Sequence, residues 1–288
     1  MPSGAPTPSF LYIGAPKAGS SWLFEAFRAH PDIFVPPAKD IHFFDKHYAR
    51  GWPWYQHYFK AQTKESTSGE ISHDYYACPE APARIRRHIP DVRLICCLRE
   101  PGDFLLSAYR YARNHHRDYD IGFADYRALP VARGYVDYVS NLRRYYACFP
   151  ADALYVTFFD ELRADPHRYF TDVCRFLGVR DDPIAPIAGA PVNAAKAARS
   201  PGLAQIAYGT AGALRRLGFA NLVGTVKRNP VFDRLLYQPM TRTSGSLSDG
   251  DQGVLRDIRR LARTEYTALE DLIGRSLPNS WREVADAG

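Results

Sequence analysis

Residues 10–22 read Phe-Leu-Tyr-Ile-Gly-Ala-Pro-Lys-Ala-Gly-Ser-Ser-Trp and combine an apolar run with a loop that carries a lysine, a glycine and two hydroxyls. Small residues let backbone N–H groups approach an anion, and Lys17 adds a positive charge. Ser20 or Ser21 can begin a helix whose N-terminus attracts the same anion. The pattern therefore predicts a strand, a phosphate-binding loop and a helix. It differs from the triphosphatase loop G-x-x-x-x-G-K-[ST], because Lys17 precedes Gly19.

A second pair of anion-binding side chains follows the apolar run at 92–98. Arg99 comes directly after this run, and Ser107 follows eight residues later in a predicted helix. Ligands of open α/β sheets bind at the carboxyl ends of strands, so Arg99 and Ser107 are placed to hold one phosphate together. Two separate phosphate sites suit a nucleotide with phosphates at both ends, whereas a triphosphate needs one continuous loop.

The elements that must position these residues alternate along the chain. Apolar runs predict strands at 68–71, 92–98 and 153–158, and helical periodicity predicts helices at 80–88, 103–114, 136–146 and 167–177. This alternation predicts an α/β domain with a central parallel sheet. The segment 181–253 is rich in Pro, Gly and Ala, with a possible helix at 203–217, and an apolar stripe over 254–273 predicts one C-terminal helix packed on the sheet.

The composition limits the class of protein. The chain has 288 residues, of which 46% are hydrophobic, enough for one large α/β domain. No apolar run approaches the roughly 18 to 20 residues that span a bilayer, and no signal-peptide pattern opens the chain, so we expect a soluble cytoplasmic protein. Five cysteines without a C-x-x-C pair predict reduced, mostly buried thiols. The net charge of +6 suits an anionic ligand, but its scattered distribution, without a recognised module, argues against nucleic acid.

Together the two phosphate motifs resemble those of the sulfotransferases that use 3'-phosphoadenosine 5'-phosphosulfate (PAPS). Residues 16–22 resemble that family's 5'-phosphosulfate motif, and residues 98–109 resemble its 3'-phosphate motif. Further segments resemble, in order, the heparan-sulfate type and its bacterial relatives: 30–32, 39–45, 51–55, 69–75 and 269–281. The resemblance is dense over residues 10–115 and sparse from about 180 to 250.

The resemblance implies a P-loop-like sulfotransferase fold in a single domain over residues 1–288. Its parts would be a nucleotide-binding core at 10–180, a lid that covers the cofactor at 181–253, and a C-terminal helix at 254–288 that packs on the core. The cofactor implied is PAPS, which yields 3',5'-adenosine bisphosphate, and no metal is required. The other partner would be a small-molecule or glycan acceptor; the oligomeric state is not predicted.

The resemblance also implies roles for individual residues. Lys17 would contact the phosphosulfate bridge and stabilise the leaving phosphate. Arg99 and Ser107 would hold the 3'-phosphate, and Arg199 and Arg242 in the lid are further candidates for it. The 5'-phosphate would be held by backbone groups of the loop and the helix start, namely Ala18, Gly19, Ser20, Ser21 and Trp22.

Three residues are candidates for the base that takes the acceptor's proton, in the order Asp40, Glu70, His42. Asp40 stands where the heparan-sulfate type carries a glutamate, which is one methylene longer. Glu70 ends a predicted strand, and His42 is able to relay or orient the proton. Ile71 replaces the lysine that often follows the family's second glutamate.

These motifs predict an enzyme that transfers a sulfuryl group from PAPS to a hydroxyl of a carbohydrate, glycolipid or small natural product, with an amine as the less favoured acceptor. One alternative is a P-loop kinase or hydrolase, which requires a lysine after the glycine and a partner for Mg²⁺. The other is a non-catalytic nucleotide-binding relative, an alternative raised by Asp40 and Ile71.

Overall fold

Five short segments pair in parallel to form the central sheet of the computed structural model, which describes residues 7–62, 67–115, 121–181, 196–198, 237–239 and 248–286. The strands are β1 (Phe10–Gly14), β2 (Ile33–Phe34), β3 (Thr67–Ile71), β4 (Arg93–Leu98) and β5 (Leu154–Phe158). Their order across the sheet is β2-β3-β1-β4-β5, so β1 lies at the centre with β3 and β4 as its neighbours. Two further strands, β6 (Lys196–Ala198) and β7 (Tyr237–Pro239), form a separate antiparallel pair.

Alternate residues of the central strands enter two different hydrophobic cores. In β1, Leu11 and Ile13 belong to one core, whereas Phe10 and Tyr12 belong to the other. All four are fully buried. A strand that is covered on both faces reads as a continuous apolar run, which is why β1 and β4 are visible in the sequence.

Helices supply the two outer layers. They are α1 (Ser20–Ala29), α2 (Trp52–Gln56), α3 (Ala81–His88), α4 (Pro101–His115), α5 (Phe123–Ala128), α6 (Pro130–Val136), α7 (Tyr138–Tyr146), α8 (Phe159–Ala164), α9 (Pro166–Leu177), α10 (Asp249–Arg263), α11 (Tyr266–Ile273) and α12 (Asn279–Asp286). Side chains of α1 and α9 cover one face of the sheet, while α3, α7 and α11 cover the other. The predicted α/β fold with a parallel sheet is confirmed.

Two of the predicted helices differ from the structure. The stretch 254–288, expected to be one C-terminal helix, contains three: α10, α11 and α12. The first break follows α10, where the N–H and hydroxyl of Thr264 both donate to the carbonyl of Leu261, at 3.2 and 2.7 Å, and tighten the last turn. The helix predicted at 136–146 begins at Tyr138, because the side chain of Asp137 caps it by accepting from Ser140 N at 3.1 Å.

Other predictions concern the thiols and the segment before α10. All five cysteines are free, and three of them are buried, as the composition predicts. The possible helix at 203–217 lies outside the described residues. Within the described parts of the chain, we find no helix whose length and apolar character would let it cross a membrane.

Candidate active site

The loop between β1 and α1 lies at the carboxyl end of the central strand. Gly19 precedes α1 with a φ of 88°, a left-handed conformation that favours glycine, and a Cβ at this position would clash with Leu162. No side chain among the described residues caps the start of α1. The N-terminus of α1, where uncapped N–H groups attract anions, is thus where the structure places Ala18, Gly19, Ser20, Ser21 and Trp22, the predicted contacts of the 5'-phosphate.

Lys17 and Arg99, which are 82 residues apart in sequence, meet at this edge of the sheet. The Nη1 of Arg99 donates to the backbone carbonyl of Lys17 at 3.1 Å. This contact arises because β1 and β4 are parallel neighbours whose carboxyl ends lie side by side. The contact thus brings residues from both predicted anion-binding motifs onto one basic surface.

The cations of this surface repel one another. Burial, followed by the charges of Arg99 and Lys39, lowers the pKa of Lys17 from 10.5 to about 8. The Lys17 ammonium lies 4.1 Å from the ring centre of Tyr111, and the Arg99 guanidinium lies 4.8 Å from that of Phe159. The close approach of the Lys17 and Arg99 cations favours an anionic ligand.

Arg99 also carries an unused donor. Its Nε is buried and makes no hydrogen bond with the described residues. A buried donor without a partner costs about 1 to 3 kcal/mol, which an anionic ligand would recover. This donor, the ammonium of Lys17 and the uncapped start of α1 are three groups that could hold an anionic ligand.

The start of α4 is fixed beside Arg99. The carboxylate of Glu100 accepts the N–H groups of Gly102 and Asp103 at 3.0 and 2.8 Å. Arg259 of α10 donates to Asp103 Oδ1 at 2.9 Å and lies 3.4 Å from Glu100 Oε2. Ser107 lies on α4 and is partly buried. Arg259 therefore ties α10 to the start of α4, the helix that carries Ser107 and begins two residues after Arg99.

Three residues with catalytic roles in the sequence prediction share a backbone conformation. Among the described residues, the non-glycine residues with a positive φ are Lys17 (59°), Asp40 (60°) and His42 (55°). This conformation is costly for residues with a Cβ and clusters at functional sites. Asp40 and His42 are also tied to the end of β3, since Asp40 N donates to Ile71 O at 2.9 Å and His42 N to Ser72 Oγ at 3.0 Å.

Asp40 contacts a lysine and a histidine. The Nζ of Lys39 lies 3.2 Å from Asp40 Oδ2, and Nδ1 of His73 lies 2.8 Å from Asp40 Oδ1. Burial opposes ionisation, but Lys39, His73 and His42 together hold the pKa of Asp40 well below its usual range. Asp40 is therefore an ionised carboxylate whose two oxygens face Lys39 and His73.

His42 belongs to a second group of charges next to Asp40. Its Nδ1 lies 3.1 Å from Asp45 Oδ2, and the Nδ1, Asp45 and Asp74 oxygens come within 4.8 Å of one another, close enough to hold a metal ion. However, Lys46 donates to Asp74 Oδ2 at 2.5 Å and lies 4.0 Å from Asp45 Oδ2. The ammonium of Lys46 thus already supplies positive charge to these carboxylates.

Glu70, the second candidate base, lies inside the protein. The residue is 1% exposed, and neither carboxylate oxygen has a hydrogen bond of standard geometry within the described structure. Burial raises the pKa of Glu70 to about 7, although the nearby hydroxyls of Tyr75, Ser72 and Tyr55 favour the charged form. An acceptor molecule has no direct access to a group in this position.

The structure adds three residues that the sequence analysis did not select: Lys39, His73 and Tyr111. Lys39 and His73 contact Asp40, and Tyr111 covers Lys17. Weak sequence signals exist for each, since Lys39 adjoins Asp40, His73 lies in the segment of Glu70, and Tyr111 is one helical turn beyond Ser107. Arg199 and Arg242, the candidates in the lid, lie outside the described residues.

Known proteins of two kinds are similar in sequence. The chain is 29% identical over 194 residues to the human bifunctional heparan sulfate N-deacetylase/N-sulfotransferase 3, covering 60% of this chain and 22% of that protein. It is 28% identical over 183 residues to the mouse heparan sulfate glucosamine 3-O-sulfotransferase 3B1, covering 60% and 46%. The chain thus matches less than half the length of these relatives.

Solved structures share the fold. A sulfotransferase from Alicyclobacillus acidocaldarius superposes with a TM-score of 0.68 at 23% identity, over 96% of this chain and 99% of that one. Mouse sulfotransferase SULT7A1, complexed with PAP, superposes with a TM-score of 0.52 at 14% identity, over 98% and 89%. These likenesses confirm the predicted P-loop-like sulfotransferase fold.

A family model supplies the broadest match in sequence. The model described as "Sulfotransferase domain" matches residues 7–189, which is more than half of the 288 residues and includes β1 to β5 with both basic loops. The chain therefore belongs to the sulfotransferase family of transferases.

Proposed function

We propose that this sulfotransferase transfers a sulfuryl group from PAPS to a hydroxyl of a carbohydrate, glycolipid or small natural product, with an amine as the less favoured acceptor. The observation that carries the proposal is the contact between Arg99 and the carbonyl of Lys17, at 3.1 Å. It joins two basic sites at the ends of neighbouring strands, which suits a nucleotide with a 5'-phosphosulfate and a separate 3'-phosphate.

The residues at the two sites fit the two ends of this nucleotide. Lys17 and the start of α1 would hold the 5'-phosphosulfate, with Gly19 allowing the backbone to approach it closely. Arg99, with its unused Nε donor, and Ser107 would hold the 3'-phosphate. When bound, PAPS supplies an activated sulfuryl group attached to a phosphate that can leave.

In the reaction, Lys17 and Asp40 have complementary tasks. Lys17 would stabilise the negative charge that develops on the leaving phosphate oxygen, a contribution that a fixed cation in a partly buried site makes effectively. Asp40 would take the proton of the acceptor hydroxyl, because its carboxylate is ionised and its backbone is tied to the end of β3, the strand beside β1. His42 remains a candidate to relay or orient the proton, and Glu70 is disfavoured by its burial.

The acceptor class draws support from the names of similar proteins. Both relatives described above are heparan sulfate enzymes by name, one an N-sulfotransferase and the other a 3-O-sulfotransferase. The chain matches only part of each of them, so a carbohydrate hydroxyl is the acceptor we propose to test first, followed by glycolipids and hydroxylated small molecules.

Ligand-induced stabilisation tests the nucleotide part of the proposal. We expect 3',5'-adenosine bisphosphate at 100 times its Kd to stabilise the folded chain by about 2.7 kcal/mol, and Mg·ATP at equal concentration to stabilise it much less. A thermal unfolding series with both ligands measures this. Stronger stabilisation by Mg·ATP would contradict the proposal and favour the kinase alternative. Binding of the bisphosphate without transfer from PAPS to any of the acceptors would instead favour a non-catalytic relative.

A further inference from the structure

A carboxylate lies beside the residues that we propose for the 3'-phosphate. Asp103 is in the first turn of α4, four residues before Ser107, so the two residues lie on the same side of the helix. Burial lowers the pKa of Arg99, and the charge of Asp103 is the strongest influence in the opposite direction. A phosphate held by Arg99 and Ser107 would therefore meet the negative charge of Asp103.

Arg259 of α10 neutralises this carboxylate. Its Nη2 donates to Asp103 Oδ1 at 2.9 Å, and its Nε lies 3.4 Å from Glu100 Oε2. The side chain of Arg259 is 18% exposed and that of Asp103 is 37% exposed. Because Arg259 is mostly shielded from water and is held by two carboxylates at once, its contact with Asp103 is more firmly fixed than an exposed ion pair.

The packing of α10 on the start of α4 leaves Arg259 little freedom to move. A Cβ at Gly102 would lie 2.8 Å from Cδ1 of Leu255 and 3.2 Å from Cγ of Arg259. Glu100 is buried, and its carboxylate is already fixed by the N–H groups of Gly102 and Asp103. The stem of Arg259 and its guanidinium therefore both rest against the first turn of α4.

Without Arg259, the charge of Asp103 would act on Arg99 and its ligand. The Nη1 of Arg99 donates to the carbonyl of Lys17, and its buried Nε has no hydrogen-bond partner among the described residues. Carboxylates and phosphates compete for the same guanidinium donors. A freed Asp103 would either pair with Arg99 or repel the phosphate, and both effects would weaken the 3'-phosphate site.

We infer that Arg259 is a positioning residue for 3'-phosphate recognition: it holds and neutralises Asp103, and thereby leaves Arg99 to the ligand. The inference rests on the proposed function. Arg259 acts through Asp103 and is not required to touch the nucleotide. The selectivity for a nucleotide with a 3'-phosphate thus depends on α10, a helix that is far from Arg99 in the sequence.

Two nucleotides that differ only in the 3'-phosphate isolate this effect. Calorimetric titration of the 288-residue chain gives the Kd of adenosine 5'-monophosphate and the Kd of 3',5'-adenosine bisphosphate, and the first divided by the second is the 3'-phosphate selectivity. Arg259→Gln and Arg259→Met, which are neutral and keep an unbranched stem against Gly102, should lower this selectivity about 10- to 100-fold. The affinity for the monophosphate should change less than about threefold.

A second substitution distinguishes the release of Asp103 from a loss of net charge. Asp103→Asn, added to either Arg259 variant, removes the freed carboxylate and should restore the selectivity to within about threefold of the wild type. Asp257→Asn, added instead, restores the same net charge but leaves Asp103 in place, because Asp257 pairs with Arg260. It should not restore the selectivity. Arg260→Met, whose wild-type side chain is 79% exposed, should match the wild type.

The outcomes separate this inference from the function on which it rests. A loss of selectivity that Asp103→Asn reverses and Asp257→Asn does not supports the inference. Unchanged selectivity in the Arg259 variants, or a loss that Asp103→Asn fails to reverse, overturns it and leaves the proposed nucleotide standing. Equal losses of affinity for both nucleotides, or equal rescue by Asp257→Asn, also overturn it. A wild type that binds both nucleotides equally well has no 3'-phosphate site, which overturns the proposed nucleotide together with the inference.

Discussion

Replacing Lys17 with methionine should make the nucleotide-free protein more stable while it abolishes sulfuryl transfer. Burial, Arg99 and Lys39 lower the pKa of Lys17 from 10.5 to about 8. At about 1.4 kcal/mol for each pKa unit, keeping this lysine charged at pH 7 costs at most about 3 kcal/mol. Methionine removes this cost, which raises the free energy of unfolding. Loss of the contact between Lys17 and Tyr111 offsets about 0.5 to 1 kcal/mol of this gain, and the partial exposure of Lys17 makes the gain smaller still. We expect a net gain of about 1 to 2 kcal/mol in the free energy of unfolding.

The gain should disappear as the pH rises. Between about pH 8 and 10.5, the unfolded chain still holds the Lys17 proton that the folded chain has lost, so wild-type stability increases with pH in this window. Lys17→Met lacks this increase. The difference between the two proteins is therefore largest at pH 7 and smaller at pH 9.5. Methionine keeps the same unfavourable φ of 59°, so backbone strain cancels from the comparison.

Urea unfolding at pH 7 and pH 9.5 measures both effects. Lys60→Met is the matched control, because Lys60 is exposed and lies outside the site, and its stability difference should not change between the two pH values. If Lys17→Met is less stable than the wild type at pH 7, or if its advantage is the same at both pH values, the electrostatic account of this loop is wrong.

Three further substitutions test the other parts of the site. Arg99→Ala should weaken binding of 3',5'-adenosine bisphosphate about 100-fold, by about 3 kcal/mol, as measured by calorimetric titration. The affinity for adenosine 5'-phosphosulfate, which lacks the 3'-phosphate, should be nearly unchanged. Equal losses of affinity for both ligands would argue against a 3'-phosphate site at Arg99. Asp40→Asn should lower kcat about 100-fold with little change in bisphosphate affinity, and unchanged turnover in a steady-state assay would remove Asp40 from the role of base. Glu70→Gln should retain most activity. Burial raises the pKa of Glu70 from 4.5 to about 7, so the free energy of unfolding of the wild type declines as the pH rises through this interval. Urea unfolding at pH 5 and 8 should show a smaller decline in this free energy for Glu70→Gln. An equal decline in both proteins would contradict a buried, titrating Glu70.

The two basic motifs were predictable because strand ends define ligand sites in parallel sheets. The apolar runs before Lys17 and Arg99 are buried on both faces and therefore stand out in the sequence. The two motifs lie side by side because β1 and β4 are neighbouring strands. The alternation of strands and helices in the sequence predicts a parallel sheet, but it does not determine the order of the strands in that sheet. That the two residues touch could be learned only from the fold.

Features that depend on tertiary contacts were not predictable. The two-residue strand β2 is too short for a periodic signal, and the break between α10 and α11 is set by one threonine. Positive φ values at Lys17, Asp40 and His42 leave no trace in the sequence, because none of them is glycine.

The resemblance led to Asp40 as the first candidate for the base, but its environment was not predictable. His73 is 33 positions away in sequence, and its contact with Asp40 depends on the hydrogen bond that ties Asp40 to the end of β3. Similarly, Glu70 ends a strand, and the sequence alone does not reveal that its carboxylate points into the core among tyrosines. Side-chain direction at a strand end depends on register, which only the paired sheet defines.

Transfer of sulfur from labelled PAPS to a defined acceptor tests the central claim most directly. The 288-residue chain should convert PAPS to 3',5'-adenosine bisphosphate in a one-to-one ratio with an acceptor that gains the mass of one SO₃ group, and Lys17→Ala should form neither product at a comparable rate. Polysaccharides, glycolipids and hydroxylated small molecules form the acceptor panel. If the folded, bisphosphate-binding protein labels none of them, or if Lys17→Ala transfers sulfur as fast as the wild type, the account of this site as a Lys17-dependent sulfotransferase centre is contradicted.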